Sequence, residues 1–97
     1  MKNINWFKEE VESSLKDYEI KYKFFEKGDF GLLHQVEFNS DKRGGEIDFW
    51  STGWLSVHLV DYIKGEELIN VFLKPSQDVE KEEVFQRLLF LLNEKNI

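Results

Sequence analysis

One stretch of the chain, residues 46–62, constrains the fold more than any other. It reads EIDFWSTGWLSVHLVDY, in which two alternating apolar runs flank a short Ser-Thr-Gly break. Alternation with a period of two is typical of a β-strand that covers a core with one face, and a short glycine-containing break between two such runs predicts a hairpin. The stretch therefore predicts two antiparallel strands, at about 46–50 and 54–61.

The length of the hairpin loop decides which side chains share a face. A two-residue loop, Thr52-Gly53, would pair Trp50 with Leu55 and mix the two faces. A three-residue loop over residues 51–53 instead pairs Trp50 with Trp54. The pairs that follow are Phe49–Leu55, Asp48–Ser56, Ile47–Val57 and Glu46–His58. Gly53 then stands where a type I turn with a bulge needs a left-handed residue, so we predict the three-residue loop.

This register gives the hairpin two apolar faces. One carries the residues that a core needs, namely Ile47, Phe49, Leu55, Val57 and Leu59. The other, with the next strand, carries a surplus of aromatic side chains beside acidic ones. We call the second set the aromatic face, and its members are Trp50, Trp54, His58, Tyr62, Leu68 and Phe72, with Glu46 and Asp48 at one end. Glu46, Asp48 and Asp61 would be the charges that steer a partner to it. Aromatic anchors flanked by charge are typical of protein interfaces, so we interpret this face as partner-binding.

An aromatic face of this kind can also arise without a separate protein partner. Cross-strand aromatic pairs stiffen an exposed sheet and contribute roughly 0.2–1 kcal/mol each. The chain's own loops or termini could also cover the face. A second copy of the chain could occupy it, which would make the protein a structural homodimer. A further alternative is a small-ligand-binding domain, with a pocket between sheet and helices lined by Tyr22 and His34.

The rest of the chain completes an α+β pattern. Residues 4–17 have apolar residues at helical spacing after a cap at Asn3 or Asn5, and residues 79–94 do so after a cap at Asp78 or Ser76. Further strands are predicted at about 18–24, 30–38 and 68–74. We therefore predict a single two-layer α+β domain over residues 1–97, a helix, a five-strand antiparallel meander and a second helix, with both helices on one face of the sheet.

The alternation of side chains also predicts two other strand pairings, because inward-facing residues can lie opposite each other only when the loop between the strands has an odd length. An odd-length loop over residues 27–29 sets Tyr22 opposite His34, where we expect a buried neutral histidine bonded to the tyrosine hydroxyl or to backbone. The same argument places Phe72 beside His58 and Leu68 beside Tyr62.

Composition limits the classes of function. The net charge of −6 disfavours a general binder of nucleic acids or anionic membranes, because both need clustered positive charge. The chain has no cysteine, which excludes disulfides and thiolate chemistry and is consistent with a cytoplasmic protein. The first residues contain acids where a secretory signal needs an apolar run, and the longest apolar run, residues 88–92, is too short to span a bilayer.

No motif predicts catalysis or a cofactor. Ser56 and His58 share a face, but no orienting acid accompanies them. Glu46 and Asp48 could form an acid–base pair, yet the sequence gives no reason for their pKa values to separate. A metal site of His58, Glu46 and Asp48 would need three well-aimed ligands. We therefore predict no enzyme activity, no cofactor and no bound metal.

The segment GGEIDFWSTGWLSVHLVD resembles small bacterial immunity proteins of polymorphic toxin systems. In some of these a glycine precedes an isoleucine-bearing strand and Gly-Trp opens the next strand, positions that correspond here to Gly45, Ile47, Gly53 and Trp54. The resemblance implies a cytosolic protein that occludes a cognate toxin without catalysis. The resulting expectation is a small acidic protein-binding domain, of which an immunity protein is one form.

Overall fold

The computed structural model describes residues 2–27 and 29–93. Five strands pair antiparallel with their neighbours in chain order, which makes an open meander sheet. The strands are β1 (Glu19–Phe25), β2 (Leu33–Asn39), β3 (Arg43–Trp50), β4 (Leu55–Asp61) and β5 (Glu66–Leu73). Helical segments precede and follow the sheet, so the predicted α+β class and the five-strand meander are confirmed.

The N-terminal helical segment combines three kinds of helix. An α-helical turn (Ile4–Trp6) leads into a π-helical stretch (Phe7–Val11) and a 3-10 turn (Glu12–Ser14), so the segment ends before the predicted residue 17. The side-chain oxygen of Asn3 accepts hydrogen bonds from the main-chain nitrogens of Asn5 at 2.9 Å and Trp6 at 3.3 Å, which confirms Asn3 as the cap.

The C-terminal helix spans Asp78–Leu92. Its cap residue is Gln77, so the predicted caps Asp78 and Ser76 are wrong. The Gln77 side-chain oxygen accepts a hydrogen bond from the main-chain nitrogen of Lys74 at 2.8 Å instead of capping the helix. The predicted end at residue 94 lies outside the described residues. The buried side of the helix carries Lys81, Val84, Phe85, Leu88 and Leu92.

Aromatic contacts join the helical segments to the sheet. The Phe7 ring lies 5.8 Å from the Phe38 ring and 6.2 Å from that of Tyr22, and the Phe85 ring lies 6.1 Å from that of Phe49. The strand register puts these three sheet residues on one face. We call it the core face, and its buried members on the sheet are Val36, Phe38, Ile47, Phe49, Leu55, Val57, Leu59, Ile69 and Leu73.

The β3–β4 register is the predicted one. Phe49 pairs with Leu55, and the register continues through Asp48–Ser56 and Ile47–Val57 to Glu46–His58. Trp50 accepts a hydrogen bond from the Gly53 nitrogen at 3.0 Å, and Gly53 has the positive φ of 98° that this loop requires. β3 begins earlier than predicted, at Arg43, because two glycines of the expected loop pair with β2 and β4.

The predicted β1–β2 register is wrong by two residues. Tyr22 pairs with Val36, and Phe24 pairs with His34. The connection covers residues 26–32 instead of 27–29; Gly28 itself lies outside the described residues. It is longer because its last residues bond to the β3–β4 turn, where the Ser51 nitrogen donates to the Leu32 oxygen at 2.8 Å.

The predicted β4–β5 register is also wrong. Ser56 pairs with Phe72, and His58 pairs with Asn70. An irregularity between Leu59 and Val60 leaves Leu68 as an extra residue in β5. Leu68 packs against the buried core and is not beside Tyr62 as expected. A bulge of this kind restores the side-chain alternation after a loop of even length, residues 62–65.

Within residues 2–27 and 29–93, neither helical segment has the length and apolar character needed to cross a lipid bilayer.

Candidate functional site

The aromatic face begins with a cluster of four rings. The Phe72 ring lies 5.0 Å from that of Trp54 and 5.7 Å from that of Trp50, so both indoles lie on the side of the sheet to which Phe72 points. Trp50, Asp48 and Glu46 alternate along β3 with the buried Ile47 and Phe49, which places them opposite the core face. Phe72 is 52% exposed and gives the cluster an accessible edge.

The fourth ring, Phe30, comes from the β1–β2 connection. It stacks on Trp54 at 4.7 Å and contacts Trp50 edge-on at 5.6 Å and Phe72 at 5.7 Å. The Phe30 main-chain oxygen accepts a hydrogen bond from the Thr52 hydroxyl. We call Phe30, Trp50, Trp54 and Phe72 the aromatic cluster. Sequence analysis missed Phe30 because its alternation with Leu32 looks like a continuation of β2.

Tyr62 lies at the opposite end of the same face. Its hydroxyl bonds to the Asn39 side-chain oxygen, and a β-carbon added to Gly44 would lie 1.8 Å from that hydroxyl. Gly44 is six residues before Trp50 on β3, a separation of roughly 20 Å. Tyr62 and the aromatic cluster therefore share a face but do not form one continuous set of rings.

Asp61 fixes the β4–β5 turn. Its carboxylate accepts hydrogen bonds from the main-chain nitrogens of Ile63 at 3.0 Å and Lys64 at 3.1 Å. The hydrogen bond from Lys64 is the main cause that lowers the pKa of Asp61, and that from Ile63 adds to it. This arrangement gives the carboxylate a local structural role beside Tyr62, far from the aromatic cluster.

Two carboxyl groups stand next to the aromatic cluster. Asp48 is only 9% exposed, and its carboxylate accepts a hydrogen bond from the Gln35 amide at 2.8 Å. Glu46 lies two residues earlier on the same side of β3. Burial, then the charge of Asp48 and a hydrogen bond with it, raise the pKa of Glu46 to about 7. The structure thus supplies a physical cause for a raised pKa of Glu46, which the sequence did not show.

Charged neighbours surround this pair. Glu37 lies across from Glu46 on β2 and adds to the rise in its pKa, while Lys23 opposes it. The Lys23 ammonium is bound to Glu37 at 2.9 Å. His58 lies across from Glu46 on β4, as predicted, and its Nε2 atom is 3.8 Å from a Glu67 oxygen. Among the residues that the structure describes, no group of three histidine or acidic side chains is arranged to hold a metal ion.

His34 does not occupy the predicted environment. It is exposed, and its ring lies 4.7 Å from that of Phe24 at one end of the core face. The Tyr22 hydroxyl bonds to the Glu12 carboxylate at 3.2 Å, not to His34. The expected buried histidine paired with Tyr22 is therefore wrong, because the register shift of two residues moves the two side chains apart.

The chain matches no protein-family model, and no curated protein is similar enough in sequence to be matched with it.

Proposed function

We propose that this protein is a small binding domain that captures a basic protein partner on its aromatic face. The observation that carries the proposal is the side-by-side position of the aromatic cluster and the Glu46–Asp48 pair on one face of the sheet. The cluster would supply apolar contact, and the carboxylates would receive a lysine or arginine side chain of the partner. The role is binding, not catalysis.

The aromatic part of the proposal rests on the exposed edge of the cluster. Indole and phenyl rings carry a large share of the binding energy at interfaces because they bury much apolar area with few rotatable bonds. Phe72 offers a half-exposed ring supported from behind by Trp54 at 5.0 Å. Such a ring is pre-positioned, so little side-chain entropy is lost when a partner covers it.

The choice of a basic partner rests on charge complementarity. Glu46, Asp48 and Glu37 lie on neighbouring positions of β2 and β3, and Lys23 ion-pairs with one of them, Glu37. The whole chain has a net charge of −6. Acidic proteins attract basic partners over several ångströms and so speed their association. A cation placed beside Glu46 would also offset its repulsion from Asp48.

The arrangement of helices supports the same choice of face. As part of this proposal, both helical segments cover the core face and leave the aromatic face open. The contacts of Phe7 with Phe38 and of Phe85 with Phe49 favour this placement. The cover that the aromatic cluster receives from its own chain is Phe30, which lies over the two indoles and leaves Phe72 accessible.

One function consistent with this proposal is that of a cytoplasmic immunity protein. Its partner would be a toxin whose basic active surface the aromatic face occludes. A homodimer through the same face is less favourable, because a two-fold interface is self-complementary and would bring the acidic centres of both copies together. The absence of cysteine is consistent with the cytoplasmic location.

Photo-crosslinking in the native cell tests the proposal. A photoreactive phenylalanine analogue is placed at position 72, on the aromatic face, or at position 90, where Phe90 is 70% exposed on the C-terminal helix. We expect a discrete crosslinked protein of basic character from position 72 only. Calorimetry with that purified protein should then show that Phe72→Glu weakens binding by about 30-fold or more, a typical loss at a dominant contact.

The matched control is Phe90→Glu, which makes the same change on an exposed ring elsewhere. Equal binding by the wild-type chain and Phe72→Glu would refute the proposed site. Sedimentation at micromolar concentration tests the alternative, since a dimer that dissociates in Phe72→Glu would favour self-association. Rescue of growth when the chain is co-expressed with a neighbouring gene's toxic product would support the immunity role.

A further inference from the structure

A cavity opens between the hairpin and the two helical segments. Its volume is about 370 Å³, within the range of sites that hold small molecules. The walls are mainly apolar, with Phe49 and Leu55 from the sheet and Phe85 from the C-terminal helix. Trp50 and Trp54 also contribute to the lining. This cavity is distinct from the pocket that the sequence suggested around Tyr22 and His34.

One charged group in the cavity wall is almost completely buried. Lys81 is 7% exposed, and its ammonium donates to the Gly53 oxygen at 2.7 Å and to the Pro75 oxygen at 3.1 Å. The nearest carboxylate oxygen of Asp78 lies 4.0 Å away, beyond hydrogen-bonding distance, on a side chain that is 80% exposed. An ammonium has three N–H donors, so these two acceptors leave one donor available.

Two other charged residues of the cavity wall pair with each other. Lys2 and Glu82 both line it, and the Lys2 ammonium bonds to both carboxylate oxygens of Glu82, at 2.7 Å and 2.8 Å. The buried ammonium of Lys81 makes its two hydrogen bonds to neutral carbonyl oxygens, and its ion pair with Asp78 is long, at 4.0 Å. A buried cation whose ion pair is long is only partly compensated, and an anion that reaches it gains a strong hydrogen bond.

We propose that this cavity is a binding site for a small carboxylate with an aromatic or branched apolar body. The carboxylate accepts the remaining N–H of Lys81, and the apolar body packs among Phe49, Leu55 and Phe85. The cavity shares Trp50 and Trp54 with the aromatic cluster, but Phe72 and the Glu46–Asp48 pair are not part of its wall. Ligand binding measured without a protein partner therefore tests this site separately from the proposed function.

A set of three ligands with the same ring tests the proposal on the unmodified protein. Phenylacetate, phenylacetamide and 2-phenylethylamine differ in charge but little in shape, and each is titrated into ¹⁵N-labelled chain. We expect phenylacetate to give saturable shifts at the amides of Gly53 and Leu55 and at the Trp54 indole, with a Kd of about 1 mM or lower. The neutral and cationic analogues should bind about tenfold more weakly or worse.

A variant pair isolates the ammonium. Lys81→Met keeps most of the apolar stem and removes the charge, and Lys74→Met makes the same change at an exposed lysine outside the cavity. We expect loss of phenylacetate binding in the first variant only, measured where circular dichroism shows that it is folded. Equal affinities for phenylacetate and phenylacetamide would overturn the proposal, as would the absence of saturable shifts at the cavity residues. Both of these results are measured on the unmodified protein, so neither requires a variant to fold.

Discussion

The ammonium of Lys81 donates a 2.7 Å hydrogen bond to the main-chain oxygen of Gly53, which joins the C-terminal helix to the β3–β4 turn. The same turn is closed by the hydrogen bond from the Gly53 nitrogen to the Trp50 oxygen at 3.0 Å. The turn that sets the indoles of Trp50 and Trp54 beside each other is therefore held from the helix by a buried lysine. A change at Lys81 should affect both the stability of the fold and the order of the aromatic cluster.

Lys81→Ala is expected to lower the free energy of unfolding by about 2–3 kcal/mol, because it removes two charge-assisted hydrogen bonds and leaves two carbonyl oxygens without their donor. Urea unfolding followed by circular dichroism measures the change. Arg87→Ala is the matched control, since it removes a cation from the exposed side of the same helix and should cost less than about 0.5 kcal/mol. Similar losses in both variants would contradict a structural role for the Lys81 bonds.

The adjacent glycines of β3 should differ in their tolerance of a side chain. A β-carbon at Gly45 would lie 2.5 Å from the His58 main-chain oxygen and 2.7 Å from the Phe38 ring, neither of which can move freely. A β-carbon at Gly44 would meet the Tyr62 hydroxyl and, at 2.2 Å, the Asn39 side-chain oxygen, both at the ends of exposed side chains that can turn away. We expect Gly45→Ala to cost about 3 kcal/mol and Gly44→Ala about 1 kcal/mol in unfolding free energy.

A second substitution separates the two causes. Tyr62→Ala should recover part of the loss caused by Gly44→Ala, because it removes one of the two side chains that the new β-carbon meets, the other being Asn39. It should recover none of the loss caused by Gly45→Ala, whose clash is with backbone and with a core ring. Thermal unfolding of the two double variants decides this. Equal recovery in both would mean that the steric account is wrong.

The β3–β4 hairpin could be predicted from the sequence because both of its strands alternate strongly and its loop is short. The need to keep Trp50 and Trp54 on one side and Phe49 and Leu55 on the other excluded a two-residue loop, and the observed register agrees. The pairing of Glu46 with His58 followed from the same argument.

The β1–β2 and β4–β5 hairpins could not be predicted, because the alternation of side chains fixes their faces but not the register of the strands. A shift by two residues keeps every side chain on its face, so β1–β2 satisfied the pattern at the wrong pairing. The predicted β4–β5 pairing did not include the bulge at Leu68. Phe30 leaves the strand alternation to stack on Trp54, a contact between residues distant in sequence. The burial of Lys81 also depends on distant carbonyl groups, which no helical pattern reveals.

Phe30 should hold the aromatic cluster together. Phe30→Ala removes the ring that contacts Trp50, Trp54 and Phe72. Since the ring is half-buried, we expect a loss of about 1–3 kcal/mol in unfolding free energy, below that of a fully buried phenylalanine. Tryptophan emission should shift to longer wavelength as the indoles gain water. Phe90→Ala, at a ring that is 70% exposed, should change neither quantity; unchanged emission in Phe30→Ala would contradict the contacts.

The raised pKa of Glu46 predicts how stability varies with pH. Glu46 loses its proton near pH 4.5 in the unfolded chain and near pH 7 in the folded protein. Between these values the folded state holds the extra proton, so the free energy of unfolding should fall as the pH rises. The charges that face Glu46 are Asp48 on its own strand, Glu37 on β2 with its partner Lys23, and His58 on β4.

Glu46→Gln mimics the protonated side chain and should remove this fall in the free energy of unfolding with rising pH. We expect the variant to exceed the wild-type chain in unfolding free energy at pH 8 by about 1 kcal/mol, a small figure because solvent screens a partly exposed carboxylate. At pH 4 the difference should vanish, because Glu46 is then protonated in both states. Urea unfolding at pH 4, 6 and 8 measures it, with Glu19→Gln as the control on an exposed acid of β1. A difference between Glu46→Gln and wild type that stays constant from pH 4 to 8 would show that ionisation of the partly buried Glu46 does not control stability.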